Sequence, residues 1–188
     1  MKIGILGAGG IAVTMANTLN GMKQNGEDVE LYAVAARDAE RAASFAKEHG
    51  FTKSFGSYEE MLSDAALELI YIATPHSHHY EHVKLCLEHG KHVLCEKAFT
   101  ANAKQAEEIL AMAEQKKLLL TEAIWTRYMP SRKMLDDVVA SGVIGKITSL
   151  SANLGYVIHT VPRIMQPELA GGALLDLTVY PINAALMI

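Results

Sequence analysis

The chain has 188 residues and a formal net charge of −4; 50% of its residues are hydrophobic and 20% are charged. This composition is typical of a folded globular protein and excludes an intrinsically disordered chain, and a net negative charge gives no reason to expect nucleic-acid binding. No run of about 18 apolar residues is present, so the sequence predicts no membrane span. Only two cysteines occur, Cys86 and Cys95, which predicts neither a disulfide framework nor a redox pair. We therefore expect a reduced, cytoplasmic setting.

Short apolar runs alternate with amphipathic helical patterns over the first 122 residues. The strands are predicted at 3–6, 31–36, 67–74, 92–95 and 118–121. The helices are predicted at 10–22, 39–49, 57–62, 80–89 and 103–116. Strands that alternate with helices in this way predict an α/β fold with a doubly wound parallel sheet of the Rossmann type.

Several helix ends carry local signals. Asp38 is predicted to cap the N-terminus of the second helix, and Gly50 is predicted to end it. Ser57 is predicted to cap the next helix, with Glu60 three residues later to complete a capping box.

The pattern changes after residue 122, where we place a domain boundary. A helix is predicted at 130–140. Rough alternation of apolar and polar residues at 146–157 predicts an antiparallel strand with one solvent-exposed face. Residues 172–188 are strongly apolar and would leave much hydrophobic surface uncovered. We expect residues 123–188 to be the incomplete beginning of a second domain, in a chain that is a fragment.

The clearest motif is a glycine-rich turn directly after the first strand. The residues from Gly7 to Ala12 read Gly-Ala-Gly-Gly-Ile-Ala, which fits the G-x-G-x-x-G/A pattern of dinucleotide-binding sites. In that pattern the first glycine permits a tight turn and the second lets the backbone approach a pyrophosphate, which the N–H groups at the helix start then face. We therefore expect the cofactor to contact the backbone along Gly7, Ala8, Gly9, Gly10 and Ile11.

The tip of the second strand indicates which dinucleotide is bound. A site for NAD usually places a carboxylate here for the ribose 2′-hydroxyl. This chain instead has Ala36 and Arg37, followed by Asp38, which the helix cap explains. A small residue leaves room for a phosphate that Arg37 would clamp. The sequence thus favours NADP, with NAD as the alternative.

Six histidines fall between positions 76 and 92, after a strand that ends at Thr74-Pro75. In a doubly wound sheet the ligand crevice lies at such strand ends, so we expect Thr74, Pro75 and either His76 or His79 to lie beside the cofactor. A zinc site built on the histidines is the alternative, but no recognisable set of ligands completes it, and no metal is predicted.

Three further segments carry a resemblance to a known family. They read Gly-Lys-His-Val-Leu-Cys-Glu-Lys at 90–97, Glu-Ala-Ile-Trp-Thr-Arg-Tyr at 122–128 and Gly-Gly-Ala-Leu-Leu-Asp-Leu at 171–177. In combination they resemble the Gfo/Idh/MocA oxidoreductases, and within that family the branch of dimeric dihydrodiol dehydrogenases and NADP-dependent D-xylose dehydrogenases. The resemblance implies an NAD(P)-binding Rossmann domain at 1–122. It also implies the start of a C-terminal α+β substrate and dimerisation domain, with an open and mostly antiparallel sheet, at 123–188.

The resemblance also implies the site residues. Glu96 and Lys97 correspond to the family's Glu-Lys-Pro motif and are expected to contact the cofactor, with Lys97 in the active site, although the chain has Ala98 where the family has proline. Much of the family has a histidine four residues after Asp176; here the residue is Tyr180, which the dihydrodiol branch uses as its acid/base. Asp176 would orient the lysine or bind a substrate hydroxyl, and Trp125 would form an apolar wall for the substrate.

These observations predict an NADP-dependent dehydrogenase that acts on a small polyhydroxylated substrate, an aldose or a cyclic diol, and is a homodimer or higher homo-oligomer at full length. Lys97, Tyr180 and Asp176 are the predicted catalytic residues. The alternatives are a nucleotide-sensing regulatory protein without turnover, an NAD-dependent sugar or inositol dehydrogenase, and the zinc enzyme. Neither a nucleic acid nor a membrane is expected as a partner.

Overall fold

The computed structural model describes all 188 residues. The chain forms two compact units, Met1–Glu122 and Ala123–Ile188.

The first unit is built on one sheet of six strands. The strands are β1 (Lys2–Leu6), β2 (Glu30–Ala35), β3 (Lys53–Phe55), β4 (Leu69–Ile72), β5 (His92–Cys95) and β6 (Leu120–Glu122). Their order is β3-β2-β1-β4-β5-β6, and every neighbouring pair is parallel. This is the strand order of a dinucleotide-binding fold, which confirms the predicted doubly wound sheet. The order reverses between β1 and β4, so the ligand crevice of such a fold lies at the carboxyl ends of these two strands.

Five helices connect the strands of the first unit. They are α1 (Gly10–Gln24), α2 (Ala39–His49), α3 (Tyr58–Leu62), α4 (His79–Glu88) and α5 (Ala103–Lys116). The cap of α2 is confirmed: Asp38 accepts from the backbone N–H groups of Glu40 and Arg41, and Gly50 ends the helix at φ 82°. Ser57 caps α3 by accepting from the N–H of Glu60. The reciprocal bond of the predicted capping box, from the Ser57 N–H to the Glu60 side chain, does not form, and the Ser57 hydroxyl donates to Glu59.

The core lies on both faces of the sheet. The central strands bury apolar side chains in consecutive positions, as expected when helices cover both faces. Fully buried examples are Ile5, Leu6, Ile70, Ile72 and Val93. The well-packed sheet therefore fixes the positions at which the loops at its carboxyl edge begin.

The second unit is helical. It contains α6 (Pro130–Ala140), α7 (Pro162–Met165) and α8 (Val179–Leu186), with 3₁₀ turns at Trp125–Tyr128 and Pro167–Leu169. A π-helical turn, Leu174–Thr178, leads into α8. Pro181 has no N–H to give to the preceding turn, and a wider turn just before it is one way in which a helix accommodates such a loss.

The predicted strand at 146–157 is wrong, since these residues have no regular secondary structure. A strand needs a hydrogen-bonded neighbour, and the second unit contains no other strand to pair with it. The strand predicted at 67–74 is shorter than expected because its pairing with β1 extends only from Leu69, opposite Ile3, to Ile72, opposite Leu6. The strand predicted at 118–121 begins late because the N–H of Leu118 still closes the end of α5, on the carbonyl of Ala113.

The stretch Pro167–Leu186 is long and apolar enough to cross a membrane by length and composition alone. Its backbone, however, is interrupted where Ala170 and Gly172 adopt φ values of 55° and 104°. The stretch also contains Asp176, whose carboxylate forms an ion pair. The stretch is thus a broken helix that carries an ion-paired carboxylate.

Candidate functional site

The glycine turn is held tightly to the sheet by its first glycine. Gly7 has φ 103°, and its N–H donates to the carbonyl of Ala35 at 2.9 Å, which ties the turn to β2. A Cβ atom at this position would lie 3.1 Å from the carbonyl oxygen of Ala73. Only glycine fits such a position without strain.

The next two glycines face open space instead. A Cβ atom at Gly9 or Gly10 would meet no atom within 4 Å. Gly9 is the N-cap of α1, with no side-chain cap and no acidic residue in the first turn. The first N–H groups of a helix have no partner within it, and the helix dipole favours an anion at this end. The turn therefore fits the pyrophosphate of a dinucleotide, as the sequence motif from Gly7 to Ile11 predicts.

Two arginines lie beside this turn. Arg37 is exposed directly after the buried Ala36 at the tip of β2. The Arg41 guanidinium donates from Nε and Nη2 to the carbonyl oxygen of Ala8, at 3.0 and 2.7 Å. Asp38 is occupied by the α2 cap. The strand tip thus offers cations, while its one carboxylate is already used by backbone N–H groups.

Sequence reasoning missed Arg41. The signal was present, since side chains in the first turn of a helix lean toward its N-terminus and a residue four positions after Arg37 returns toward the strand tip. A third group lies nearby: burial raises the pKa of Tyr58, and the positive charges of Arg37 and Arg41 oppose that rise.

The segment after β4 contains Thr74, Pro75, His76 and His79. His76 is buried at the start of a 3₁₀ turn, and His79 is fully buried at the start of α4. The two ring nitrogens of His79 lie 2.7 Å from the carbonyl oxygen of Ala98 and 2.8 Å from that of Thr74. Burial lowers the pKa of His79 to about 4, although both carbonyls favour its protonated form. Both nitrogens are thus used within the protein, so His79 joins two loops rather than offering a group to a cofactor.

The other histidines of this region also have protein partners. His82 pairs through Nδ1 with the Thr74 hydroxyl at 2.9 Å, and burial lowers its pKa to about 4. Nδ1 of His89 lies 2.9 Å from the carbonyl of Leu85, and that of His92 accepts from the N–H of Leu119. No group of three or more His, Cys, Asp or Glu side chains is arranged to hold a metal ion. This arrangement gives no support to the zinc alternative.

The loop after β5, residues 96–99, carries Lys97 and is fixed on several sides. The Glu96 carboxylate accepts from the Tyr71 hydroxyl and from the N–H of Lys97, the latter at 3.2 Å. The peptide bond between Lys97 and Ala98 is cis. Beyond it, the N–H of Phe99 donates to Oε1 of Glu122 at 3.0 Å.

These bonds show what replaces the proline of the family motif. The carbonyl of Ala98 is held by His79, and the loop ends are held by Glu122 and by the bond from the Glu96 N–H to the carbonyl of Ile72 at 3.1 Å. Glu96 is predicted as a cofactor contact, and in the structure its carboxylate accepts hydrogen bonds from Tyr71 and Lys97. Tyr71 and Glu122 were not predicted as parts of the site.

In the second unit, Trp125 and Tyr180 are in direct contact. The indole Nε1 of Trp125 donates to the Tyr180 hydroxyl oxygen at 3.1 Å, and the rings meet edge to face with centroids 6.1 Å apart. Asp176 is buried, and its Oδ1 lies 2.6 Å from Nη1 of Arg163. The sequence predicted Trp125, Tyr180 and Asp176 but not Arg163, which lies in the short helix α7 and carries no local signal.

Comparisons with known proteins match both units. Residues 1–124 match the oxidoreductase family with an NAD-binding Rossmann fold, GFO_IDH_MocA, and residues 133–188 match the GFO/IDH/MocA C-terminal domain. D-xylose 1-dehydrogenase (NADP(+)) of Hypocrea jecorina is 40% identical over 97% of this chain and 51% of its own length. Trans-1,2-dihydrobenzene-1,2-diol dehydrogenase of Sus scrofa is 40% identical over 100% of this chain and 56% of its own. The chain spans about half the length of these curated relatives.

Solved structures show the same fold. A 3-ketoreductase from Actinomadura kijaniata, in complex with NADP and TDP-benzene, aligns with a TM-score of 0.82 and 31% identity over 98% of this chain and 56% of its own. Levoglucosan dehydrogenase in complex with NADH and L-sorbose aligns with a TM-score of 0.87 over 100% of this chain and 52% of its own, at 22% identity, which is evidence for the fold alone. On the family matches to both of its units, the chain belongs to the Gfo/Idh/MocA oxidoreductases.

Proposed function

We propose that the protein is an NADP-dependent dehydrogenase that oxidises a hydroxyl group of a small polyhydroxylated substrate, an aldose or a cyclic diol. The observation that carries this proposal is the glycine turn, whose open space at Gly9 and Gly10 before an uncapped helix fits a pyrophosphate. The names of the two curated relatives, a D-xylose and a dihydrodiol dehydrogenase, support the substrate class.

The preference for NADP rests on charge at the tip of β2. A 2′-phosphate requires cations and space, and Arg37, Arg41 and the small Ala36 supply both. The only carboxylate there, Asp38, accepts two backbone N–H groups and is not available to a ribose 2′-hydroxyl. These contacts favour NADP over NAD.

The chemistry requires a hydride acceptor and a base. Bound nicotinamide supplies the hydride acceptor. In the proposed reaction the alcohol carbon loses a hydride, the hydroxyl proton passes to the Tyr180 oxygen, and the product is a carbonyl compound. We assign the acid/base role to Tyr180. We assign an electrostatic role to Lys97, because hydrogen bonds to four neighbouring residues hold its loop in place. Asp176 is assigned to substrate binding, with Arg163 as its counter-ion, and Trp125 to the substrate wall.

We also propose a cytoplasmic location and a homo-oligomeric assembly. The thiols of Cys86 and Cys95 are buried and free, which is compatible with a reducing compartment. The second unit exposes large apolar side chains, among them Val143, Ile144 and Leu186, which is compatible with a covering partner.

The experiment is a substrate panel with NADP⁺ and NAD⁺, preceded by fluorescence titration with NADPH and NADH. We expect turnover of a sugar or cyclic diol with NADP⁺, and we expect Lys97→Ala to abolish turnover while NADPH still binds. Tight NADPH binding without turnover of any panel member would instead favour a nucleotide sensor. A preference for NADH in the titration would overturn the assignment of Arg37.

A further inference from the structure

The contact between Trp125 and Tyr180 joins residues 55 positions apart in sequence and is specific in its polarity. The indole N–H can only donate, so the Tyr180 oxygen must be the acceptor at their separation of 3.1 Å. A phenolate oxygen carries a full negative charge and accepts a hydrogen bond more strongly than a neutral phenol does. A donor fixed at this position therefore favours the ionised form of Tyr180 over the neutral form.

We propose that Trp125 is a positioning residue for acid/base chemistry: its indole N–H holds the Tyr180 oxygen in one orientation and stabilises the phenolate. This inference rests on the proposed function, in which Tyr180 receives the substrate proton. An ordinary tyrosine titrates near pH 10, about three units above neutrality, so a base built on tyrosine needs such partners.

Charged side chains near Tyr180 also bear on its ionisation. Ionisable side chains on the elements that pack against α8 include Asp176 in the π-helical turn and Arg127 and Tyr128 in the 3₁₀ turn, and Arg132 of α6 donates to the carbonyl of Met187 at the end of α8. Asp176 precedes Tyr180 by four residues, and a carboxylate that lies near a tyrosine disfavours the ionisation of that tyrosine. Arg163 pairs with Asp176 and offsets this repulsion. The Trp125 N–H acts on the Tyr180 oxygen itself.

The indole of Trp125 is placed so that it can bond to Tyr180 through Nε1 and still contact a substrate. The edge that bears Nε1 is directed at Tyr180, while the residue as a whole is 58% exposed. Trp125 therefore has exposed surface that a substrate can contact while its Nε1 remains bonded to Tyr180. A phenylalanine at position 125 would keep a smaller aromatic face and remove the donor, so Trp125→Phe separates the two roles: loss of the donor changes the ionisation of Tyr180, and loss of ring area changes substrate binding.

The direct test follows the ionisation of Tyr180 without requiring catalysis. The indole N–H resonance of Trp125 is identified in ¹⁵N-labelled protein by its absence from Trp125→Phe, and it should shift as Tyr180 ionises. In Tyr180→Phe this shift should disappear. The pKa of Tyr180 is then measured by ultraviolet difference titration in wild type and in Trp125→Phe, and the signal of the matching Tyr180→Phe variant is subtracted from each. Without the donor, the pKa of Tyr180 should be about one unit higher, which corresponds to a tenfold loss of phenolate near neutrality.

Kinetic measurements then distinguish stabilisation of the Tyr180 phenolate from simple apolar contact between Trp125 and the substrate. In Trp125→Phe, kcat for alcohol oxidation should fall about tenfold near neutrality and recover as pH rises, with little change in KM. If the indole were only a wall, KM would rise at every pH and the Tyr180 titration would not move; that result overturns the proposal. Replacement of Trp125 by 3-benzothienylalanine, which keeps the ring shape without the N–H, gives the same test if Trp125→Phe does not fold. If wild type shows no turnover, the proposed function fails, but the titration still decides whether Trp125 stabilises the phenolate.

Discussion

Replacement of Gly7 by alanine should destabilise the protein before any ligand is added. Alanine would have to adopt φ 103°, at a cost of about 1–3 kcal/mol in strain. Its Cβ would also lie 3.1 Å from the carbonyl oxygen and 3.2 Å from the carbonyl carbon of Ala73, and overpacking against backbone costs about 1–3 kcal/mol more. The sum is about 2–6 kcal/mol, a large part of the roughly 5–15 kcal/mol by which domains are typically stable.

Gly9→Ala is the matched control, in the same turn and with the same added methyl group. Gly9 has φ −101°, and a methyl group at this position would have no neighbour within 4 Å, so the free energy of unfolding should change by no more than about 0.5 kcal/mol. The methyl would instead occupy space proposed for the pyrophosphate, so the Kd for NADPH should rise about tenfold or more, which corresponds to about 1.4 kcal/mol. Urea denaturation without ligand and fluorescence titration with NADPH measure the two effects. Equal stability of Gly7→Ala and wild type would show that the turn does not require glycine at position 7, and unchanged NADPH affinity in Gly9→Ala would show that the pyrophosphate does not lie at Gly9.

Three further predictions concern charged side chains. Arg37→Ala should raise the Kd for NADP⁺ at least tenfold more than that for NAD⁺, because only the former has a 2′-phosphate; equal changes in the two titrations would count against the assignment. The Lys53 ammonium holds the pKa of Asp64 at about 2, below its unfolded value, so this carboxylate contributes stability above pH 4 that is lost as pH falls toward 2. Asp64→Asn should therefore lower Tm much more at pH 7 than at pH 2, and an equal Tm difference at the two pH values would contradict this. Arg163→Ala removes the counter-ion of the buried Asp176 and should lower Tm more than Arg163→Lys does, and identical Tm values for the two variants would exclude a specific ion pair.

The first unit could be predicted well from sequence because its signals are local. Buried parallel strands read as continuous apolar runs, and the predicted bounds of α2, α5 and β5 agree with the structure to the residue. The glycine turn was recognisable because the positive φ of Gly7 is a backbone requirement that only one residue type meets well.

The parts that sequence reasoning missed depend on long-range contacts. His79 meets Ala98 across 19 positions, and Phe99 meets Glu122 across 23, so the support of the Lys97 loop has no local pattern. The strand expected at 146–157 failed for the complementary reason. Its alternation of side chains was local, but a strand also needs a partner, and none lies within the second unit.

The proposed function requires hydride transfer from a substrate carbon to NADP⁺, and isotope transfer detects this step itself. The panel substrate with the highest turnover would be deuterated at the carbon that bears the reacting hydroxyl, and the NADPH formed would be analysed by mass spectrometry. We expect one deuterium in the nicotinamide ring with wild type and no labelled NADPH with Tyr180→Phe, although that variant still binds NADPH. NADPH without deuterium, or full label transfer by Tyr180→Phe, would contradict it.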